Sequence, residues 1–282
     1  MKELINNTEL KDLLDMVNTC YGYDYTGYSS SSIKRSIIYF MDTRQIPSIL
    51  ILKKLLLENE QLFGEFVRSV SITVTEMFRD PLYYKTLREK IIKRLATYPV
   101  IRVWVAGCAT GEEAYSIAIL LKEEGLLDRS VIYATDINQY SLAIGMQGAY
   151  PLKNMQLYTT NYLKAGGLNS FSEYYTAKYD SVLFDNSLKQ KIVFSPHNLV
   201  TDRSFNEFQL ITCRNVLIYF NNDLQNKVTD LLCDSLCPFG FLTLGNRENL
   251  HCYHKKDSFT VIDKKEKIFM KKESINLKPT NR

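Results

Sequence analysis

The residues best placed to do chemistry lie in one stretch, Val103 to Ala118, which reads VWVAGCATGEEAYSIA. An apolar run stops at a turn of small residues, Ala106 to Gly111. Two acids, Glu112 and Glu113, follow where a helical pattern begins. A strand, a tight turn and a helix N-terminus in that order open a nucleotide-type pocket in an α/β sheet. Two fixed carboxylates at the helix start take the place that the helix dipole would offer a pyrophosphate, and repel it. A neutral or cationic adenosine compound fits better. S-adenosylmethionine, with its sulfonium and amino groups, is the candidate.

Other segments supply groups that such a ligand needs. Asp136 ends the next strand-like run, 29 residues after Gly107. An acid there commonly binds a ribose hydroxyl pair, and equally caps the helix that follows. Thr73, Thr75 and Arg79 place hydroxyls and a positive charge where two halves of the chain join, a preferred position for pockets. Arg214 and Asn215 follow an apolar strand at the sheet end where ligands bind. Tyr219 lies a helical turn further on, among apolar residues that equally suit a core aromatic. Gly245-Asn-Arg-Glu-Asn reads as a polar loop at the same end, and His197 as a structural histidine. Cys233 and Cys237, read as four apart on a helix, with His251, Cys252 and His254 after them, match no standard zinc spacing. No metal is expected. A P-loop and a GxSxG elbow are both missing.

The elements that must position these groups follow from periodicity. Leu10, Leu13, Leu14 and Val17 form one helical face, and Ile33, Ile37, Phe40 and Met41 another, after the N-cap candidates Ser29 to Ser32. Pro47 suits the first turn of a third helix through Leu57, and Phe63, Phe66, Val67 and Val70 mark a fourth. Residues 1–75 are therefore expected to form a small all-α domain, with 76–90 as a linker. Over 91–272, strand-like runs (101–105, 131–134, 191–194, 208–213, 241–244) alternate with helical ones, among them Leu224, Val228, Leu231 and Leu232. That predicts a mostly parallel, doubly wound α/β sheet, closed by an antiparallel edge hairpin at 259–270. The Tyr-, Ser- and Asn-rich stretch 158–189 breaks the alternation and reads as an inserted subdomain. The polar tail 273–282 reads as disordered.

Composition narrows the class. The chain has 282 residues, 45% hydrophobic and 12% aromatic, enough for a large core, and its formal charge of +4 neither requires nor excludes nucleic acid. It has no apolar run long enough for a membrane span and no signal-peptide core at its N-terminus. The six scattered cysteines read as reduced thiols of a cytoplasmic protein.

Taken in order, TVTEMFRDP, WVAGCATGEEAYSIA, ATDI, CRNVLIYF and GNREN resemble the motifs of the CheR family across roughly residues 10 to 272. These are S-adenosylmethionine-dependent methyltransferases that esterify glutamates on chemotaxis receptors. The resemblance implies a helical N-terminal domain, a Rossmann-like class I methyltransferase domain and a small antiparallel β insertion. It puts the cofactor on Thr73, Thr75, Arg79, Glu113, Asp136, Asn198, Leu199, Arg214 and Asn215, with Arg79 and Tyr219 beside the transferred methyl. It implies receptor helices as partners; no DNA and no membrane insertion are expected, and a monomer is the default.

Two departures stand out. Thr73 occupies a position where the family usually carries asparagine. The helix after Tyr28 has only Lys34, Arg35 and Arg44 where members often carry a dense arginine row, so steering to an acidic receptor should be weaker. Asn246-Arg247 stands where His-Ser is usual. Three rival readings remain. One is a methyltransferase with another acceptor, including RNA held by Lys85, Arg88, Lys90, Lys93 and Arg94. Another is a non-catalytic S-adenosylmethionine sensor. The third, a dinucleotide oxidoreductase, is disfavoured by the missing GxGxxG.

Overall fold

A computed structural model describes residues 5–25, 27–70, 75–250 and 253–273. Four helices come first: α1 (Asn7–Tyr21), α2 (Ser30–Thr43), α3 (Ile49–Glu58) and α4 (Glu60–Val70). The apolar faces read from the sequence meet in one core, with Leu13, Val17, Ile37, Phe40, Leu52 and Phe66 buried among them. A capping box between Asn6 and Glu9 starts α1. Ser48 caps α3 by accepting from Ile51 N, so Pro47 sits just outside the helix instead of in its first turn.

Next come α5 (Pro81–Lys90), α6 (Ile92–Leu95), β1 (Ile101–Ala106), α7 (Glu112–Glu123), β2 (Ser130–Asp136) and α8 (Gln139–Gln147). Residues 76–90, read above as a linker, thus carry a helix, and its Tyr83, Tyr84 and Leu87 are buried in the sheet's own core. An insertion follows: β3 (Ala149–Pro151), α9 (Met155–Lys164), β4 (Tyr175–Lys178), β5 (Ser181–Phe184) and α10 (Asn186–Lys189). Its three strands pair antiparallel in the order β3-β5-β4, and β3 begins before the Tyr-rich stretch.

The remaining elements are β6 (Ile192–Pro196), β7 (Phe208–Cys213), α11 (Asn222–Asp234), β8 (Leu236–Leu244), β9 (Phe259–Asp263) and β10 (Ile268–Lys271). Cys237 lies on β8 and Cys233 at the end of α11, so the two do not share a helix face. No metal-ligating cluster exists among the described residues, and His251 and Cys252 lie outside them. No described helix is long and apolar enough to cross a membrane.

The seven-stranded sheet runs β6-β2-β1-β7-β8-β10-β9. The first five strands are parallel, and β10 and β9 add the expected antiparallel edge. β1 shows how residue order builds both faces. Val103 and Val105 join the core shared with α7 and the insertion, whereas Trp104 and Ala106 join the core under α11. Strand order reverses between β1 and β7, and a crevice opens there at the carboxyl ends of the strands.

Candidate active site

The crevice is an open cleft walled on one side by the carboxyl ends of the sheet and on the other by the helical region. Its floor is the turn after β1. Gly107 has φ +73°, and a Cβ there would come within 2.5 Å of Val216 Cγ2, so only glycine fits. Ala109, also left-handed at φ 48°, donates its N–H to Asp136 Oδ2 at 2.8 Å. Asp136 Oδ1 accepts from Asn138 N at 2.8 Å. The cap of α8 is Asn138, which accepts from Tyr140 N and Ser141 N, so Asp136 is left to face the cleft. Burial pushes the Asp136 carboxyl above its ordinary range, against the pull of these backbone N–H groups.

Asn198, Leu199, Asn215 and Tyr219 line the same cleft, and so does His197, which the sequence reading set aside. His197 packs edge-on against Trp104. The helical domain supplies the opposite wall through Tyr28, Ser32, Ile33 and Val70. It is stitched on by Ser29 N donating to Tyr219 O (2.7 Å) and Asn221 N donating to Gly27 O (2.9 Å). Tyr28 meets Phe220 ring to edge at 4.8 Å. A tyrosine in a polar N-terminal loop gave no sequence signal for this role.

Beyond the cleft lies a buried polar cluster. Arg214 is fully enclosed, with its guanidinium over the Tyr83 ring at 3.9 Å, and it donates to Asp80 Oδ2 (2.8 Å) and to the carbonyl of Arg79 (3.3 Å). Glu113 Oε2 stands 4.0 Å from Arg214 Nη1. Thr212 faces that carboxylate without a well-formed hydrogen bond. Glu113 Oε1, Thr212 Oγ1 and Arg214 Nε are buried with no hydrogen-bond partner among the described residues. Burial raises the Glu113 pKa, and the charges of Arg214 and Arg79 offset only part of the rise. Buried groups left this incomplete suit an amino-acid end that brings both donors and acceptors.

Arg79 sits between two left-handed residues, Phe78 (φ 52°) and Asp80 (φ 57°). Its charge acts on both Glu113 and Tyr219. With Ala109 and Asn215 (φ 61°) at the cleft, four non-glycine residues of the cleft and the polar cluster hold this costly conformation, as strained backbones at working sites do. Tyr219 ends a 3-10 turn (Leu217–Tyr219) and is half-buried at the cleft, not a core aromatic.

The turn holding Asn215 and Tyr219 hangs on Glu248, which sequence reasoning did not assign. Its buried carboxylate accepts from Gly245 N and Asn215 N through Oε2 (2.5 and 2.9 Å) and from Ile218 N through Oε1 (3.3 Å). The carboxylate lies so close over Gly245 that a Cβ there would be 2.8 Å from Oε2. The one available signal was the GNREN motif itself.

Of the other expected site residues, Thr75 is half-buried in the segment leading to Arg79, and Thr73 lies outside the described residues. The basic cluster suggested for RNA is largely engaged elsewhere. Arg88 pairs with Glu123 and Glu124, Lys90 with Asp263 at 2.7 Å, and Arg94 Nη1 reaches Met270 Sδ.

A 3-2-1-4-5-7-6 sheet in fold order, with its pocket at the switch point, defines a class I methyltransferase. The sequence profile of the CheR methyltransferase SAM-binding domain matches residues 73–268, and the chain belongs to that family. A "Putative methyltransferase Cher3" of Pseudomonas putida is 44% identical over 93% of this chain and 96% of its own length. A "Chemotaxis protein methyltransferase" of Listeria innocua is 29% identical over 81% and 85%. "Chemotaxis protein methyltransferase 2" of Pseudomonas aeruginosa is 29% identical over 82% and 85%. The cofactor is S-adenosylmethionine, and the incompletely bonded Glu113–Arg214 cluster fits its amino-acid end.

Proposed function

We propose that this protein methylates glutamate side chains of chemotaxis receptors, as a monomeric cytoplasmic enzyme. The observation that carries the reading is the buried Glu113–Arg214 pair with unsatisfied polar atoms, close to Arg79, whose charge also reaches Tyr219.

In this reading Asp136 accepts from the ribose hydroxyls, and Asn198 and Leu199 border the base. Glu113, Arg214, Asn215, Thr75 and Thr73 hold the amino-acid end. When bound, S-adenosylmethionine supplies an electrophilic methyl: a carboxylate oxygen bonds to it as the carbon–sulfur bond breaks, leaving a γ-methyl ester and S-adenosylhomocysteine. The acceptor is already ionised at neutral pH, so no residue has to act as a base. Arg79 orients the incoming carboxylate and the Tyr219 hydroxyl donates to it; alignment is the main contribution. The helical domain's wall keeps water out, which favours a step in which opposite charges cancel.

The test is calorimetric titration with S-adenosylhomocysteine, followed by transfer of labelled methyl groups to receptor signalling domains. Expected are micromolar binding abolished in Asp136→Ala, a base-labile product, and Tyr219→Phe that binds cofactor normally but turns over roughly tenfold or more slowly. A base-stable product, or Tyr219→Phe at full rate, would overturn the reading.

A further inference from the structure

Of the three cations on the helix expected to greet an acidic receptor, only Arg44 is ion-paired among the described residues. Lys34 Nζ donates to Asn7 Oδ1 at 2.8 Å, Arg35 Nε to the Ser31 carbonyl, and Arg44 pairs with Glu65 at 2.6 Å. Lys34 and Arg35 bond neutral oxygens and keep their charge, so an acidic partner gains from further positive charge elsewhere.

A groove at the sheet's antiparallel edge offers it. The floor is apolar: Leu250, Phe259, Phe269 and Val261, the last 55% exposed. Lys256, Lys264 and Lys267 stand on its rim, and none is within ion-pairing distance of a carboxylate among the described residues; one acid, Asp257, shares the rim. The groove is joined to the candidate active site along the chain. Asn249, at its start, follows Glu248, and the turn carrying Lys264 and Lys267 meets the end of β8 where Leu244 N donates to Lys267 O at 3.1 Å. Lys264 and Lys267 lie at the carboxyl end of the sheet and Lys256 at the other end of β9; free cations around apolar ground complement an acidic segment with apolar side chains.

We infer that this groove docks an acidic, amphipathic protein segment. The identity of the segment as methyl acceptor rests on the proposed function; the docking chemistry does not.

The test uses the full chain and fluorescence anisotropy with a synthetic helical peptide carrying leucines on one face and glutamates on the others. Controls are its lysine-for-glutamate counterpart and a single-stranded RNA of similar length. The acidic peptide should bind, with steep salt dependence. The triple variant Lys256→Ser/Lys264→Ser/Lys267→Ser should bind at least tenfold more weakly, and Val261→Ser several-fold. S-adenosylhomocysteine affinity, read on the same preparations, should be unchanged. That control separates the two ideas: loss of cofactor binding in the wild type would sink the methyltransferase reading alone. Equal peptide binding by wild type and triple variant would overturn the groove. So would a lysine peptide that binds equally well, or an RNA that binds more tightly through the same lysines.

Discussion

Helix α7 carries a buried glutamate near each end, and the two are built in opposite ways. Glu123, near the C-terminus, is saturated. It accepts from Arg88, from Leu168 N (2.9 Å), from Tyr174 Oη (2.9 Å) and from Tyr162 Oη. Those donors tie α5, α9 and the insertion to α7, and they hold its pKa below the ordinary range although burial pushes the other way. Glu113, one residue into the helix, is left short: an unbonded Oε1, a guanidinium at 4.0 Å, and a pKa raised by burial. A saturated buried carboxylate marks a structural joint; an unsaturated one marks a place kept for a ligand.

Removing each should separate stability from binding. The largest effect is expected for Glu123→Ala, which strands Arg88, Tyr162 and Tyr174 around an empty acceptor site and should cost roughly 3–5 kcal/mol of folding stability. Urea denaturation would show it, and cofactor affinity measured below the transition should change less than about twofold. Glu113→Gln should do the reverse. Folding stability should move by under ~1 kcal/mol, while S-adenosylhomocysteine binds about a hundredfold more weakly, as when one member of a buried charge contact is lost. If Glu113→Gln unfolds the protein and leaves affinity intact, the contrast between the two ends is wrong.

Much of this was legible in sequence, and the failures have physical causes. The β1 turn could be read because small residues and paired acids are local signals, and the mostly parallel sheet followed from alternating periodicity. Arg214 and Asn215 could be placed at the sheet end because they directly follow an apolar strand. The closure of α5 onto the sheet was not legible, since Tyr83 and Tyr84 carry hydroxyls and the helix is polar elsewhere. The roles of Tyr28 and Glu248 were hidden for another reason. Both act through backbone and ring contacts to a segment far away in the chain, and no local pattern encodes such a pairing. His197 was set aside because a lone histidine says nothing of which wall it faces.

Glu248 sharpens the contrast with a mixed case: saturated like Glu123, yet saturated by the turn that carries Asn215 and Tyr219. Glu248→Gln keeps the shape but leaves one acceptor oxygen; its amide nitrogen cannot accept, so either the Gly245 and Asn215 bonds or the Ile218 bond is lost. We expect kcat for methyl transfer to fall about tenfold, equivalent to ~1.4 kcal/mol, with cofactor affinity nearly kept. A change confined to melting temperature would show Glu248 to be a structural joint only.

The smallest effects are in pH, where the two ends of α7 should carry opposite signs. The Glu123 pKa lies below 4.5 in the folded protein. Its stabilisation is therefore full above about pH 4.5 and lost as pH falls through the lowered value. The Glu113 pKa lies above 4.5. Its contribution to stability is full below about pH 4.5 and lost as pH rises through the raised value, because the buried charged form is the costly one. Cofactor affinity runs the other way at that site, since a protonated Glu113 no longer attracts the ammonium group and binding weakens on acidification. Urea melts and S-adenosylhomocysteine titrations from about pH 7 down to the onset of acid unfolding read both, with changes on the order of 1 kcal/mol. Glu123→Gln should flatten the acid limb of stability and leave the affinity profile alone, whereas Glu113→Gln should flatten the affinity profile. Profiles that fail to exchange in this way would mean that Glu113 does not face the bound cofactor in its charged form.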